Sequence, residues 1–470
     1  MARRQQRGWF ALGTRSGEVS RMATSSTFGY AQPEEGVYIG YRVDGDGPID
    51  VVWQPDWPGH IDMEWQDPIA GQFLRRLSSF ARVITHDHRG IGLSSRDVGL
   101  PTLETRVTDL LAVLAATGTR RPVLVGVLSS GGVHALLAAM HPKVPRALVW
   151  LEPSARYGRA SDYPWGRSEE DRELEGRFFA LWGTVEYEKA WMTEEESYEN
   201  PFPPEMDLAH VAMQSRSACT PDVAARLADI WYDLDVRGVL DAVQVSTLLL
   251  VHEGRKVAVE EAEYIASQMP AAQLRRMPGR AWGAEEMPAW VEQIREFVGI
   301  EHPHPSFDTV LATVMFTDIV GSTELAAARG DREWRKIREE HDRVIREALA
   351  RHGGREIKTM GDGFLATFDG PARAVNCAQT IVEHVRPLGV EVRAGVHTGE
   401  VEFDDDDVRG LAVAIGARVG AYAGASEVLV SQTVKDLVAG SGLILEDVGE
   451  HVLKGVPDRW RLYRVVEVAH

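Results

Sequence analysis

Residues 313–323 read TVMFTDIVGST, and residues 355–368 read REIKTMGDGFLATF. The first is an apolar, β-branched run that ends on Asp318 and passes through Ile319, Val320 and Gly321 to Ser322 and Thr323. It predicts a strand that turns into a helix. The second has Asp-Gly, a strong two-residue hairpin signal, between apolar runs, and predicts a β-hairpin with Asp362 at its tip. Between them, DREWRKIREEHDRVIREALARHGG places Trp334, Ile337, Val344, Ile345 and Leu349 on one helical face. Gly353 and Gly354 close that helix. PARAVNCAQTIVEHV then reads as a helix and VEVRAGVHT as a strand, with further strands at EVLVS and RLYRVVE. The resulting βααββαβ order predicts an α+β, ferredoxin-like core.

Two aspartates in this pattern suggest chemistry. Adjacent antiparallel strands would bring Asp318 and Asp362 together, and hard carboxylates near phosphates bind magnesium or manganese. The backbone N–H groups of Ile319, Val320, Gly321, Ser322 and Thr323 open a helix N-terminus, which favours a phosphate. Taken singly, an Asp at a strand end is more often a cap, and Gly-Asp-Gly is more often only a turn. Together they point to a two-metal phosphoryl-transfer site.

FTDIVGST, KTMGDGF, GVHTGEVEFDDDDVRG, GARV and LKGVPDRWRLY follow one another in this order. The series resembles the class III adenylyl/guanylyl cyclase domain from end to end. The resemblance implies that Asp318 and Asp362 bind two divalent metal ions, magnesium or manganese. It implies that Lys358 and Asp407 read the adenine of ATP, that Arg418 stabilises the transition state and that Lys454 meets the triphosphate. A lysine donates to adenine N1 and a carboxylate accepts from the N6 amine, so this pair favours ATP over GTP. Outside that context Lys358, Arg418 and Lys454 would read as solvated surface residues, and the run Asp404–Asp407 leaves the register of Asp407 open. In the family the metal aspartates of one protomer face the adenine-reading residues of the other, which implies a homodimer. One position departs: where the family has Asn, or His in some bacterial members, four residues before the arginine, this chain has Ala414. The loss of that hydrogen bond predicts a slow cyclase, and a nearly inactive one serving as a signalling or binding module is an alternative.

Upstream, PIDVVWQ, ARVITHD, PVLVGVL, RALVWLE and STLLLVH read as buried strands of a mainly parallel sheet, separated by amphipathic helices. A Trp- and acid-rich stretch, about 154–243, reads as an inserted helical cap. THDHRGIGLSSR and VLVGVLSSGGVHALLAAMHP resemble α/β-hydrolases, and the two resemblances combined are those of actinobacterial, mycobacterial-type hydrolase–cyclase fusions. The resemblance places Ser129 in the nucleophile slot of Val127-Leu128-Ser129-Ser130-Gly131, with valine in place of the first glycine. Trp282 stands where the catalytic histidine is expected, so Ser129 lacks a base. His86, His88 and His134 read as packing residues. Trp57, Trp165, Trp182, Trp191, Trp231 and Trp282 read as core and cap packing ahead of an aromatic pocket. This domain is expected to be degenerate and regulatory or dimerising, with a small apolar ligand under its cap. A serine esterase with an appended cyclase is the alternative.

The bulk properties agree. With 470 residues the chain exceeds one core, and its formal net charge of −19 opposes nucleic acid or anionic lipid as partner. Two cysteines make neither a disulfide framework nor a zinc site, and no apolar stretch has the length of a membrane span, so a cytoplasmic protein is expected. The expected division is a flexible extension at 1–34 (with Met22 as an alternative start), a hydrolase-like domain at 35–299, a linker at 300–308 and a cyclase domain at 309–470.

Overall fold

The computed structural model describes residues 26–56, 58–99, 101–194, 206–254, 256–279, 286–299, 309–404 and 407–466. The predicted linker, Trp57 and Trp282 lie outside them. The N-terminal unit is built on eight strands: β1 (Thr27–Glu34), β2 (Val37–Asp44), β3 (Asp50–Gln54), β4 (Arg82–His86), β5 (Val123–Val127), β6 (Ala147–Leu151), β7 (Thr247–His252) and β8 (Ala272–Met277). Their order in the sheet is β1-β2-β4-β3-β5-β6-β7-β8. The β1–β2 and β2–β4 pairs are antiparallel, and every later pair is parallel. Helices cover both faces of the parallel part, so β5, β6 and β7 are buried along their whole length. That double burial is why these strands are unbroken apolar runs rather than alternating ones.

The extension predicted at 1–34 is too long. Residues 27–34 form the edge strand β1, in which only Ala31 is buried. A one-sided edge strand carries little apolar signal, and Pro33 lowers it further. Between β6 and β7 stand the helices Glu169–Phe178, Val185–Glu194, Leu208–Ala218 and Pro221–Asp233. Among them Trp182 packs on Phe179 and Tyr187, as core rather than pocket wall.

Under the sheet, Glu64 is buried and accepts a hydrogen bond from Trp53 Nε1 at 2.6 Å. Burial, with Asp87 and Asp67 adding negative charge nearby, pushes its carboxyl up to about 7 from 4.5. The folded chain therefore holds this proton more tightly than the unfolded chain. The stability from this group is complete below pH 4.5 and is lost as pH rises through 7. Glu64→Gln keeps the acceptor and removes the titration. At pH 8 it should be more stable than the parent by on the order of 3 kcal/mol, with little difference at pH 4. Urea unfolding at the two pH values checks this.

The C-terminal unit has β9 (Thr309–Ile319), β10 (Arg355–Met360), β11 (Gly363–Phe368), β12 (Val392–Asp404), β13 (Asp407–Arg409), β14 (Val428–Ser431), β15 (Ile444–Val452) and β16 (Arg459–Val466). The order is β10-β11-β9-β12-β14-β16-β15, with β13 folded back on β12. The predicted βααββαβ succession is present, with the Asp331–His352 and Pro371–Val385 helices packed on one face. The hairpin turn differs in one detail. Met360 pairs with Gly363, so the two central residues are Gly361 and Asp362, and Gly361 takes the positive φ of 74°. Gly-Asp, not Asp-Gly, is the turn, and a glycine at its first central position is what it requires. Among the described residues no helix is long and apolar enough to cross a membrane.

Candidate active site

The site begins with the pairing of β9 and β11. Thr317 lies opposite Phe364, which sets Gly363 beside Asp318 and the turn residue Asp362 at the same sheet edge. Gly363 is fixed by this approach: a Cβ there would sit 2.5 Å from the Thr317 carbonyl oxygen and 3.6 Å from Asp318 Oδ1. The two aspartates are thus brought to one edge, as the sequence predicts. Asp318 is half-exposed and faces Arg393, its direct partner on β12. Arg393 donates to Asp318 Oδ2 from Nη2 at 2.6 Å and from Nε at 3.1 Å. Asp362 Oδ2 is buried and has no hydrogen-bond partner among the described residues. A small open cleft of about 150 Å³ lies here, bordered by Asp318, Met360, Arg393, Ala417 and Ala421.

Sequence reasoning missed Arg393. The signal was present, because Arg393 is the one long cation in the small and apolar stretch VRAGV that opens β12. Only the register of β12 on β9 shows that it points at Asp318.

Beyond Asp318 the chain enters the Ser322–Arg329 helix through Val320 and Gly321. Val320 N–H bonds to Glu391 O at 2.8 Å. Gly321 has φ 66° and supplies no side-chain cap, so the first-turn N–H groups after it have no cap from the chain. Ile319 contributes backbone only, since its side chain is buried in the core.

Lys358 and Asp407 meet across β10 and β13, with Nζ 2.6 Å from Oδ1 and both side chains half-exposed. Asp407 Oδ1 also accepts Val408 N–H at 2.8 Å. The lysine bond, then this backbone bond, holds the carboxyl below its usual value. Of the acidic run, Asp407 opens β13 opposite Asp404.

Arg418 lies on the Leu411–Tyr422 helix and donates from Nε to the Lys454 carbonyl oxygen at 2.9 Å, so these two predicted residues are neighbours. Ala414 is one turn earlier on the same exposed face. Ala417, Gly420 and Ala421, on other faces of the helix, border the Asp318 cleft. The helix lies close on β12, where a Cβ on Gly395 would meet Gly420 N at 2.0 Å. The site residues therefore form two groups, Asp318–Asp362–Arg393 and Lys358–Asp407, with Arg418–Lys454 on a separate exposed face.

Residues 303–467 match the model of the adenylate and guanylate cyclase catalytic domain. This part of the chain is a cyclase domain of that family. The chain is also similar to serine/threonine-protein kinase pkn2 of Myxococcus xanthus, 30% identical over 168 residues that make up 33% of this chain and 20% of that protein. Receptor-type adenylate cyclase GRESAG 4.3 of Trypanosoma brucei brucei is 26% identical over 212 residues, 34% of this chain and 17% of that protein. The chain thus spans no more than a fifth of either curated relative. An esterase of Exiguobacterium antarcticum superposes with a TM-score of 0.50 at 19% identity, covering 58% of this chain and 99% of that one. That likeness shows the α/β-hydrolase fold of the N-terminal unit.

Ahead of the cyclase domain, the hydrolase-like unit corrects one sequence assignment. The strained strand-to-helix residue after β5 is Leu128, with φ 48°. The nucleophile of this fold sits on that strained residue. Ser129 comes one position later, at the start of the Ser130–Met140 helix. The close-approach glycine is then Gly126, not the valine site: a Cβ there would meet Gly131 Cα at 2.8 Å. Ser129 is buried and donates its hydroxyl to Asp56 in a short bond. Asp56 also accepts Ser130 N–H at 3.1 Å, and Ser129 N–H is turned toward it. The N–H that follows the nucleophile position normally stabilises an oxyanion; here the Asp56 carboxylate lies against that turn. Burial outweighs these bonds and pushes the Asp56 carboxyl up to about 6.

Among the described residues, the histidines near Ser129 make no hydrogen bond to it. His134 Nε2 bonds Gln54 Oε1 at 2.9 Å, and His88 Nε2 faces Arg106 at 3.0 Å. Burial lowers His86 to about 4 and His134 to about 3, so both are neutral packing residues, as expected. His252 is held by Glu152 at Nδ1 and by the Trp290 N–H at Nε2.

Proposed function

We propose that the chain is an adenylyl cyclase that converts ATP to 3′,5′-cyclic AMP and pyrophosphate at sites shared by two copies, under the influence of a catalytically silent hydrolase-like domain. The observation that carries this reading is the convergence of Asp318 and Asp362 at one sheet edge with an unpaired, buried oxygen on Asp362. Such an oxygen is costly unless something binds it. Two carboxylates fit a pair of magnesium or manganese ions whose remaining ligands are phosphate oxygens and water. Among the described residues no larger cluster of ligating side chains exists that would hold a metal without the nucleotide. The metals would lower the pKa of the ribose 3′-hydroxyl and offset the charge on the pyrophosphate that leaves.

The side chains divide the remaining work. Lys358 Nζ donates to adenine N1 and Asp407 accepts from the N6 amine. Guanine has an N–H at N1 and a carbonyl at position 6, so the same pair would oppose it at both atoms. The 3′-hydroxyl attacks the α-phosphorus in line, and Arg418 and Lys454 stabilise the charge that develops on the phosphates. Arg393, now held by Asp318, lies beside the same cleft and can turn to a phosphate when cations occupy the carboxylates. Met360, Phe403, Leu411 and Tyr422 are exposed apolar side chains of this domain and suit a second copy as partner. A cytoplasmic setting suits Cys219 and Cys377, which are both buried and free.

Mixing Asp318→Ala protein with Lys358→Ala protein tests the shared site. Each alone should be nearly inactive. Random pairing makes half of the dimers mixed, each with one intact site of two, so about a quarter of parental activity should return. A mixture that forms dimers and stays inactive would exclude the shared site.

A further inference from the structure

We infer that Glu104 of the hydrolase-like domain is an interdomain clamp that caps the Pro371–Val385 helix of the cyclase domain and holds the two domains as one body. That helix has no side-chain cap of its own, since Gly370 precedes it. Glu104 supplies the cap from the other domain. Its Oε2 accepts Ala372 N–H at 3.0 Å, and its Oε1 pairs with Arg373 Nε at 2.9 Å. Arg373 Nη2 also reaches Thr108 Oγ1 at 3.1 Å, one helical turn along.

Glu104 belongs to the first turn of its own helix, Leu103–Ala116. Its carboxylate therefore lies between two helix N-termini, where both dipoles favour a negative charge. This offsets the cost of burying it, which still raises its pKa. The fit is close: a Cβ on Gly370 would collide with the Glu104 carboxyl group, although the local φ of −161° is open to any residue. Apolar contact supports the clamp, because Leu311 and Leu437 of the cyclase domain join the core cluster of the hydrolase-like sheet.

The position connects the two sites. Two residues along from Glu104, Arg106 is buried beside His88 and Asp56 in the former hydrolase chamber. On the other side, Ala374, Val375 and Ala378 pack with Met315, Val392 and Ala394, on the strands that carry Asp318 and Arg393. The clamp does not depend on which nucleotide the cyclase domain takes.

Two variants of the full chain test it, read by amide exchange and calorimetry. Glu104→Ala should speed exchange of the Ala372 and Arg373 amides by about tenfold, the usual loss on removing a cap. It should also split the parental melting profile into separate domain transitions. Gly370→Ser gives the helix a good cap of its own but intrudes on Glu104. It should split the transitions without speeding the Ala372 and Arg373 amides. Unchanged exchange and a single transition in folded Glu104→Ala would overturn the clamp. If Glu104→Ala does not fold, Gly370→Ser decides: a single transition at a higher temperature than the parent would mean that Glu104 holds nothing.

Discussion

Replacing Asp362 with alanine should lower cyclic nucleotide formation by roughly 10³-fold or more, the scale expected when a group that anchors transition-state charge is lost. The same substitution should leave the fold intact. Gly361 takes the unusual backbone angle of the turn, so alanine at the next position is tolerated. Asp362 Oδ2 is buried without a partner, so its removal ends a desolvation cost instead of breaking a bond. The melting temperature should therefore hold or rise while activity disappears. Few structural substitutions give that combination, since loss of a packing residue lowers both. Cyclic AMP measured with ATP and manganese, beside a thermal melt of the same sample, checks it. Activity within tenfold of the parent would remove Asp362 from the site.

Ala414→Asn should raise kcat by about tenfold to a hundredfold, approaching the cost usually seen when one aligned donor is removed. Ala414 stands one helical turn before Arg418 on an exposed face, where an asparagine amide has space beside the arginine proposed to meet the phosphates. Because the gain would come from a bond made as charge develops, KM for ATP should change little. Stability should stay within about 0.5 kcal/mol, as for most surface substitutions. An unchanged kcat would mean that another group already fills this role, and the slow-cyclase reading would lose its basis.

Much of this architecture was legible in the letters, and the limits have physical causes. β5, β6 and β7 are covered on both faces and so announce themselves as apolar runs. β1 shows one buried side chain and does not. Asp318 and Asp362 could be placed at a strand end and a hairpin tip because local composition marks both. Arg393 could not be, because its role depends on which strand lies beside β9, a long-range fact. Lys358 and Asp407 were assigned through resemblance; their contact across β10 and β13 depends on pairing that no local pattern displays. The elbow was misplaced by one residue for a related reason. Two consecutive serines offered a hydroxyl near the slot, but the slot is defined by the backbone angle of Leu128, which no letter displays. Asp56, seventy-odd positions upstream, was invisible for the same reason as Arg393.

The carboxylate of Asp56 stands against ester chemistry at the turn after β5. A serine placed at 128 would still face the Asp56 carboxylate, which would repel the charged intermediate it must form. Vacating position 56 alone would leave a leucine that attacks nothing. Neither single change is expected to give ester turnover.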